Sequence, residues 1–225
     1  MRKIKEIVKK NWENIKEVFQ SCLLVLVVGG FIYWGIDARD RTSIKEHSYH
    51  VHQDRIQLAY QGAKDRLVSA VDKYIQSVAP GSCVNGIVFV DKCLEYDVDI
   101  KFALVQAHCE SHFGTKGVAS KTNSIFNICA FDGMSAAKIL KNGHGYTHPD
   151  HSIEPYLKLL TTRYLVDGKT EMDMLDKFVD MGGHRYASNP KYEAQLLSAY
   201  EKVDSISNIS QTLNEYKRYK IIIGE

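Results

Sequence analysis

The stretch from Val98 to Thr115 constrains this chain more than any other. Ile100, Phe102, Ala103, Leu104, Val105, Ala107 and Cys109 point in every direction around a helical period. A helix that is apolar all round belongs in an interior, so other elements must be built around it. Gly114 is the expected stop, because glycine takes left-handed dihedrals freely. One carboxylate, Glu110, stands in the last turn of this apolar rod. Desolvation and the negative end of the helix dipole both raise the pKa of a carboxyl group so placed. A carboxyl that keeps its proton near neutral pH suits general-acid chemistry. A Glu that merely caps the helix in water occupies the same sequence position, and the pattern alone leaves both readings open.

The chain has 225 residues, enough for one sizeable domain plus an appendage. A net charge of +2, with no basic tract beyond the N-terminus, argues against a dedicated nucleic-acid binder. Cys22, Cys83, Cys93, Cys109 and Cys129 form neither a CxxC pair nor a zinc-ligand spacing. Cys83 and Cys93 are candidates for pairing in an oxidising compartment, and unpaired buried thiols are the alternative. His108 and His112 flank Glu110, but a zinc-protease motif places the Glu directly after the first His. His144, His148 and His151 fall in a Gly/Pro-containing loop and read as a solvated rim. No metal and no cofactor is expected.

Residues 1–20 form a basic tail: Arg2, Lys3, Lys5, Lys9, Lys10 and Lys16 alternate with apolar residues at helical spacing. The apolar run that follows centres on 21–37. Counted from Val18 it spans about 19 residues and about 28 Å as a helix, just enough for a bilayer core. Tyr33 and Trp34 lie near its outer end, where interfacial aromatics are found. A cleaved signal peptide usually has a shorter apolar core and a small-x-small site, which Ile36-Asp37-Ala38 imitates poorly. The expectation is a single uncleaved transmembrane anchor, with the N-terminus inside and the C-terminal domain outside the cytoplasm. Residues 38–55 read as a helical stalk.

Regular apolar spacing starts at Ile56, and 56–204 reads as the globular domain. Ala79-Pro80-Gly81-Ser82 breaks the long polar helix over 43–79, and Val84 to Tyr96 forms the next helix. From Gly117 to Met134 turn formers dominate, and a loop with short extended pieces is expected. Helices follow at about 153–166, 170–181 and 190–203. The tail, 205–225, carries no clear signal, although Ile221 to Ile223 suit a short strand or a docking patch. Sustained strand alternation is missing, so the fold class is mostly α.

Three strings, in order, carry a resemblance. Ala103 to Thr115 resembles the signature A-x-x-Q-A-x-x-E-S-x-[WF]-G of bacterial cell-wall glucosaminidases, glycoside hydrolase family 73. Asn123 to Ile128 is similar to that family's N-N-L-F-G-I loop, with Asn127 standing where the family has Gly. Arg185 to Tyr192 resembles its Y-A-T-D-P-x-Y segment before the last helix. The resemblance implies a lysozyme-like helical domain and an endo-β-N-acetylglucosaminidase acting on peptidoglycan glycan strands. It implies that Glu110 is the general acid and that Tyr186 lines the cleft opposite. Asn123, Phe126, Ser111 and Gln106 are the implied substrate-binding set, with Ser111 fixing the loop rather than reacting.

Glycosidases commonly use two carboxyl groups, about 5–5.5 Å apart for retention and about 6.5–9.5 Å for inversion. The segment from Phe131 to Ser152 holds Asp132 and Asp150 but no Glu, so Asp132 is the candidate second acid. The substrate's own 2-acetamido group is the other candidate nucleophile. Two further readings stay in view: a lytic transglycosylase, and an inactive membrane-tethered protein that binds or helps assemble the wall.

Overall fold

A computed structural model describes residues 2–128, 135–176 and 189–224, with only part of the side chains described before residue 46. The chain divides into two compact units, 1–57 and 58–225. Helix α1, Arg2–Val78, supplies all the described structure of the first unit and the opening helix of the second.

In the first unit Leu23, Leu24, Leu26, Val27, Val28, Phe31 and Trp34 are exposed large apolar side chains. The expected span at 21–37 falls partly on side chains outside the described set. Among the described residues no helix is long and apolar enough to cross a membrane.

The second unit is mostly helical, with no strand among its described residues. Its part of α1 buries Tyr60, Ala63, Leu67, Val71, Tyr74 and Ile75, the stripe that a period of 3.6 places on one face. Helix α2 is Gly86–Glu95, capped by Asn85, whose side chain accepts from the Ile87 N–H. Gly86 donates its N–H to Asp72 Oδ1 at 2.9 Å. A Cβ at that glycine would lie 2.3 Å from the same oxygen, so only glycine lets α2 start this close to α1.

Helix α3, Ile100–Ser111, starts on Asp99, which accepts from the Phe102 N–H at 2.8 Å. Phe102, Ala103, Leu104, Val105, Gln106 and Ala107 are all fully buried, as an apolar-all-round helix requires. Its end differs from the expected glycine stop. His112 already turns left-handed (φ 49°), Phe113 follows (φ 52°), and Gly114 is the third in the series (φ 81°). Phe113 N–H bonds the Ala107 carbonyl at 3.1 Å and closes the helix end. Left-handed dihedrals are costly for non-glycine residues. Phe113 is held there by burial, edge-on to both Tyr74 and Phe89.

Beyond α3 come α4 (Ala119–Thr122), a short helix inside the stretch expected to be loop, and α5 (Ala136–Lys141), where no helix was expected. Helix α6, Ile153–Leu159, runs into a widened turn whose Leu165 N–H reaches back to the Leu160 carbonyl at 2.9 Å. Helix α7 is Glu171–Asp176 and α8 is Tyr192–Ser207. The tail is neither strand nor featureless. It forms α9, Ile209–Ile223, which packs Ile209 and Tyr216 inward and bonds Tyr216 Oη to Tyr60 Oη at 3.0 Å. Asn208, left-handed (φ 56°), separates α8 from α9 without a glycine or proline, which is why no break was visible.

The core gathers α3 against α2 and α8, with α6 on α2. Phe126 stacks on Tyr156 at 3.6 Å between ring centroids and 7° between planes. Cys83 and Cys93 are free thiols, one exposed and one buried, so the pairing considered from sequence is not made. Truncating Phe126 to Ala removes a fully buried ring. It should cost about 3–5 kcal/mol, read as a lower urea midpoint at unchanged slope.

Candidate active site

Glu110 sits in the last turn of α3, half-buried, with its carboxyl aimed at two neutral donors. Tyr192, the first residue of α8, donates its hydroxyl to Oε1 at 2.5 Å. Asn127, from the loop after α4, donates Nδ2 to the Glu110 carbonyl at 2.7 Å and to Oε2 at 3.4 Å. Burial pushes the Glu110 carboxyl above its ordinary value; the Tyr192 and Asn127 hydrogen bonds pull it back only in part. The group is therefore an acid whose proton is retained longer than in water. Its neighbour Cys109 is raised to about 11, chiefly by burial and then by the Glu110 charge, which makes it a poor nucleophile at neutral pH.

The loop that carries Asn127 is pinned to the end of α3. Ser111 Oγ donates to the Ile125 carbonyl at 2.6 Å and accepts from the Gly114 N–H at 2.8 Å. The Ile125 N–H bonds Ser152 Oγ at 3.1 Å, tying the same loop to the start of α6. Asn127 takes a left-handed conformation (φ 51°), which Asn tolerates better than most residues and a family Gly would take freely.

The expected set is partly brought together. Ser111 is buried and bonds the loop at Ile125. Asn123 is left-handed (φ 55°) and donates Nδ2 to the Tyr146 carbonyl at 2.8 Å, closing a turn. Phe126 does not face a sugar site as expected: it is fully buried, stacked on Tyr156, and supports the loop from beneath. Gln106 is likewise fully enclosed, so it offers no surface to a substrate. Tyr186 and Asp132 lie outside the described residues. Asp150 is drawn elsewhere, accepting from the Asn85 N–H at 2.9 Å and lying 3.3 Å from His148. No group of three or more metal-ligating side chains occurs among the described residues. Sequence reasoning missed Tyr192 as the partner of Glu110. Its position as the last letter of the third matching string was the available signal.

A helix-end acid, a loop pinned beside it and a tyrosine from the last part of the domain lie within one stretch of chain. Over that stretch, residues 88–205, the chain matches the family described as Mannosyl-glycoprotein endo-beta-N-acetylglucosaminidase. The chain belongs to this family, glycoside hydrolase family 73. No curated protein and no solved structure matches it. The glucosaminidase domain takes in Glu110, Asn127 and Tyr192, and makes the protein a glycoside hydrolase of the endo-β-N-acetylglucosaminidase type.

Two consequences follow for this glucosaminidase. The folded Glu110 binds its proton more tightly than the unfolded chain does, so its contribution to stability is complete below the unfolded value of about 4.3 and is lost as pH rises through the folded pKa. Thermal melts of Glu110→Gln should therefore exceed wild type at alkaline pH and converge with it on acidification. Tyr192→Phe removes a bond that favours the ionised form, so the Glu110 titration midpoint should rise; a fall, or no change, contradicts the geometry.

Proposed function

We propose that the protein is a membrane-anchored hydrolase of peptidoglycan, cleaving the β-1,4 bond after N-acetylglucosamine, with a lysozyme-like domain and Glu110 as general acid. The observation that carries this reading is the placement of Glu110. It is a carboxyl made a weaker acid by burial, at a helix end, hydrogen-bonded by two uncharged donors. In the reaction Glu110 passes its proton to the glycosidic oxygen as the bond from C1 to that oxygen breaks. The carboxylate left behind is received by the Tyr192 hydroxyl and the Asn127 amide, which donate more strongly to a charge than to a neutral acid.

Among the described residues the groups that hydrogen-bond the Glu110 side chain are a hydroxyl and an amide, so the second half of the displacement needs another participant. Asp132 activating a water and the substrate's 2-acetamido oxygen attacking C1 are the two routes. The first gives an inverted product and the second a retained one. Tyr186 is proposed to face the positive charge that grows on the sugar ring.

The anchor reading is supported by the basic tail at 2–20 and by the exposed leucines, valines and Trp34 of α1. The charge pattern favours a domain on the extracytoplasmic side. Peptidoglycan strands and the membrane are the proposed partners. Resistance of the full chain to alkaline carbonate extraction, with the domain cut only by external protease, is the expected result. Ready extraction removes the anchor from the proposal.

Activity is tested by digesting purified wall with wild type and Glu110→Gln. Wild type should release fragments ending in reducing N-acetylglucosamine, and the variant should lose about 10²–10⁴-fold in rate. Equal digestion by both defeats the assignment of Glu110. Fragments ending in 1,6-anhydro muramyl sugar would make the protein a lytic transglycosylase instead.

A further inference from the structure

Two amide side chains, one bonded to Glu110 and one a helical turn before it, carry buried polar atoms with no hydrogen-bond partner among the described residues. Gln106 lies one helical turn before Glu110 on the same face of α3 and is 0 % exposed. Neither its Nε2 nor its Oε1 has a hydrogen-bond partner. Asn127 uses its Nδ2 on Glu110, while its Oδ1 is buried and unpartnered. A natural sequence places leucine or methionine at a buried helix position unless an amide has something to bond. Asn127 reaches the Glu110 carboxyl from the pinned loop, and Gln106 stands one helical turn before Glu110 along α3.

Enclosed polar groups of this kind are satisfied by internal water, which typically makes about three hydrogen bonds. Asn127 Oδ1 can only accept, so a water bonded to it gives up one proton there. The Gln106 amide can present either its donor or its acceptor, and the remaining position of the water meets the Glu110 carboxyl. We propose that Gln106 is a positioning residue for Glu110, acting through internal water held between the Gln106 amide, Asn127 Oδ1 and the carboxyl. The inference rests on the reading of Glu110 as general acid and gives that acid a third neutral contact. A water can accept from the protonated acid before transfer and donate to the carboxylate after it. The ionised form gains more from such a neighbour than the neutral form does, because a hydrogen bond to a charged group is the stronger one.

The test uses the full chain in detergent micelles, with glutamate side-chain carboxyls labelled with ¹³C and Glu110 assigned by its loss in Glu110→Gln. Titration without substrate compares wild type with Gln106→Met, which keeps the volume and removes the amide. The Glu110 midpoint should rise by about one pH unit in the variant, and the alkaline limb of the rate profile should move with it. The kcat should fall about tenfold, with KM within about twofold. In wild type, the Gln106 side-chain amide protons should show exchange-corrected cross-peaks to long-lived water. An unmoved midpoint and alkaline limb overturn the proposal even if the melting temperature drops, since packing alone then accounts for Gln106. Missing water cross-peaks overturn it as well, and they decide the matter if Gln106→Met does not fold. Should wild type cleave no glycan while the midpoint still shifts, the general-acid reading fails and the link from Gln106 to Glu110 stands.

Discussion

A buried helix must still satisfy the carbonyls at its C-terminal end, and in this domain that requirement organises the site. The Phe113 N–H closes on the Ala107 carbonyl, and the Asn127 amide takes the Glu110 carbonyl at 2.7 Å. The second bond comes from a loop distant in sequence, so the loop must be laid against the helix end for α3 to be buried at all. Ser111 secures it by bonding the Ile125 carbonyl, and Phe126 fills the space beneath. Capping and site building are thus one event: the contact that completes the helix also brings Asn127 within reach of the Glu110 carboxyl.

The same requirement explains the strain. Three successive left-handed residues, His112, Phe113 and Gly114, turn the chain away from α3 immediately after Ser111. Glu110 is left half-buried just before this exit, and desolvation lifts its pKa. Backbone cost at Phe113 is offset by its ring, which packs edge-on against Tyr74 and Phe89. Strain held in place by aromatic packing beside a functional group is a recurring feature of active sites.

Much of this was legible in the residues. The apolar ring of positions from Ile100 to Cys109 announced a central helix, and Glu110 stood out as the one carboxylate inside it, in its last turn. Periodicity also located α2, α6 and α8. It could not show which apolar aromatics face a cleft and which face the interior, because Phe126 packs inward on a partner, Tyr156, about thirty residues away in the chain. Helix α9 escaped notice for another reason: the stop before it is an Asn rather than a Gly or Pro. Tyr192 was read as part of a helix start, since a hydroxyl reaching Glu110 across the domain leaves no local trace. Long-range pairing is what sequence periodicity does not encode.

The partners of Glu110 suit the general-acid role proposed for it. A Lys or Arg within about 4–6 Å would hold the carboxylate ionised and lower its pKa by about 1–3 units, which removes the proton the reaction consumes. A second carboxylate in direct contact would raise the pKa but destabilise the anion produced when the proton leaves. A tyrosine hydroxyl and a carboxamide avoid both faults: they orient the group, carry no charge, and bond more strongly once it ionises. Among the described residues the groups that bond the Glu110 side chain are of that kind, Tyr192 and Asn127, while lysines of the same domain such as Lys92 and Lys101 are tied to Glu154 and Asp204. Neutral donors on Glu110 suit the proposed role, in which one side chain is an acid before bond cleavage and a tolerated anion after it.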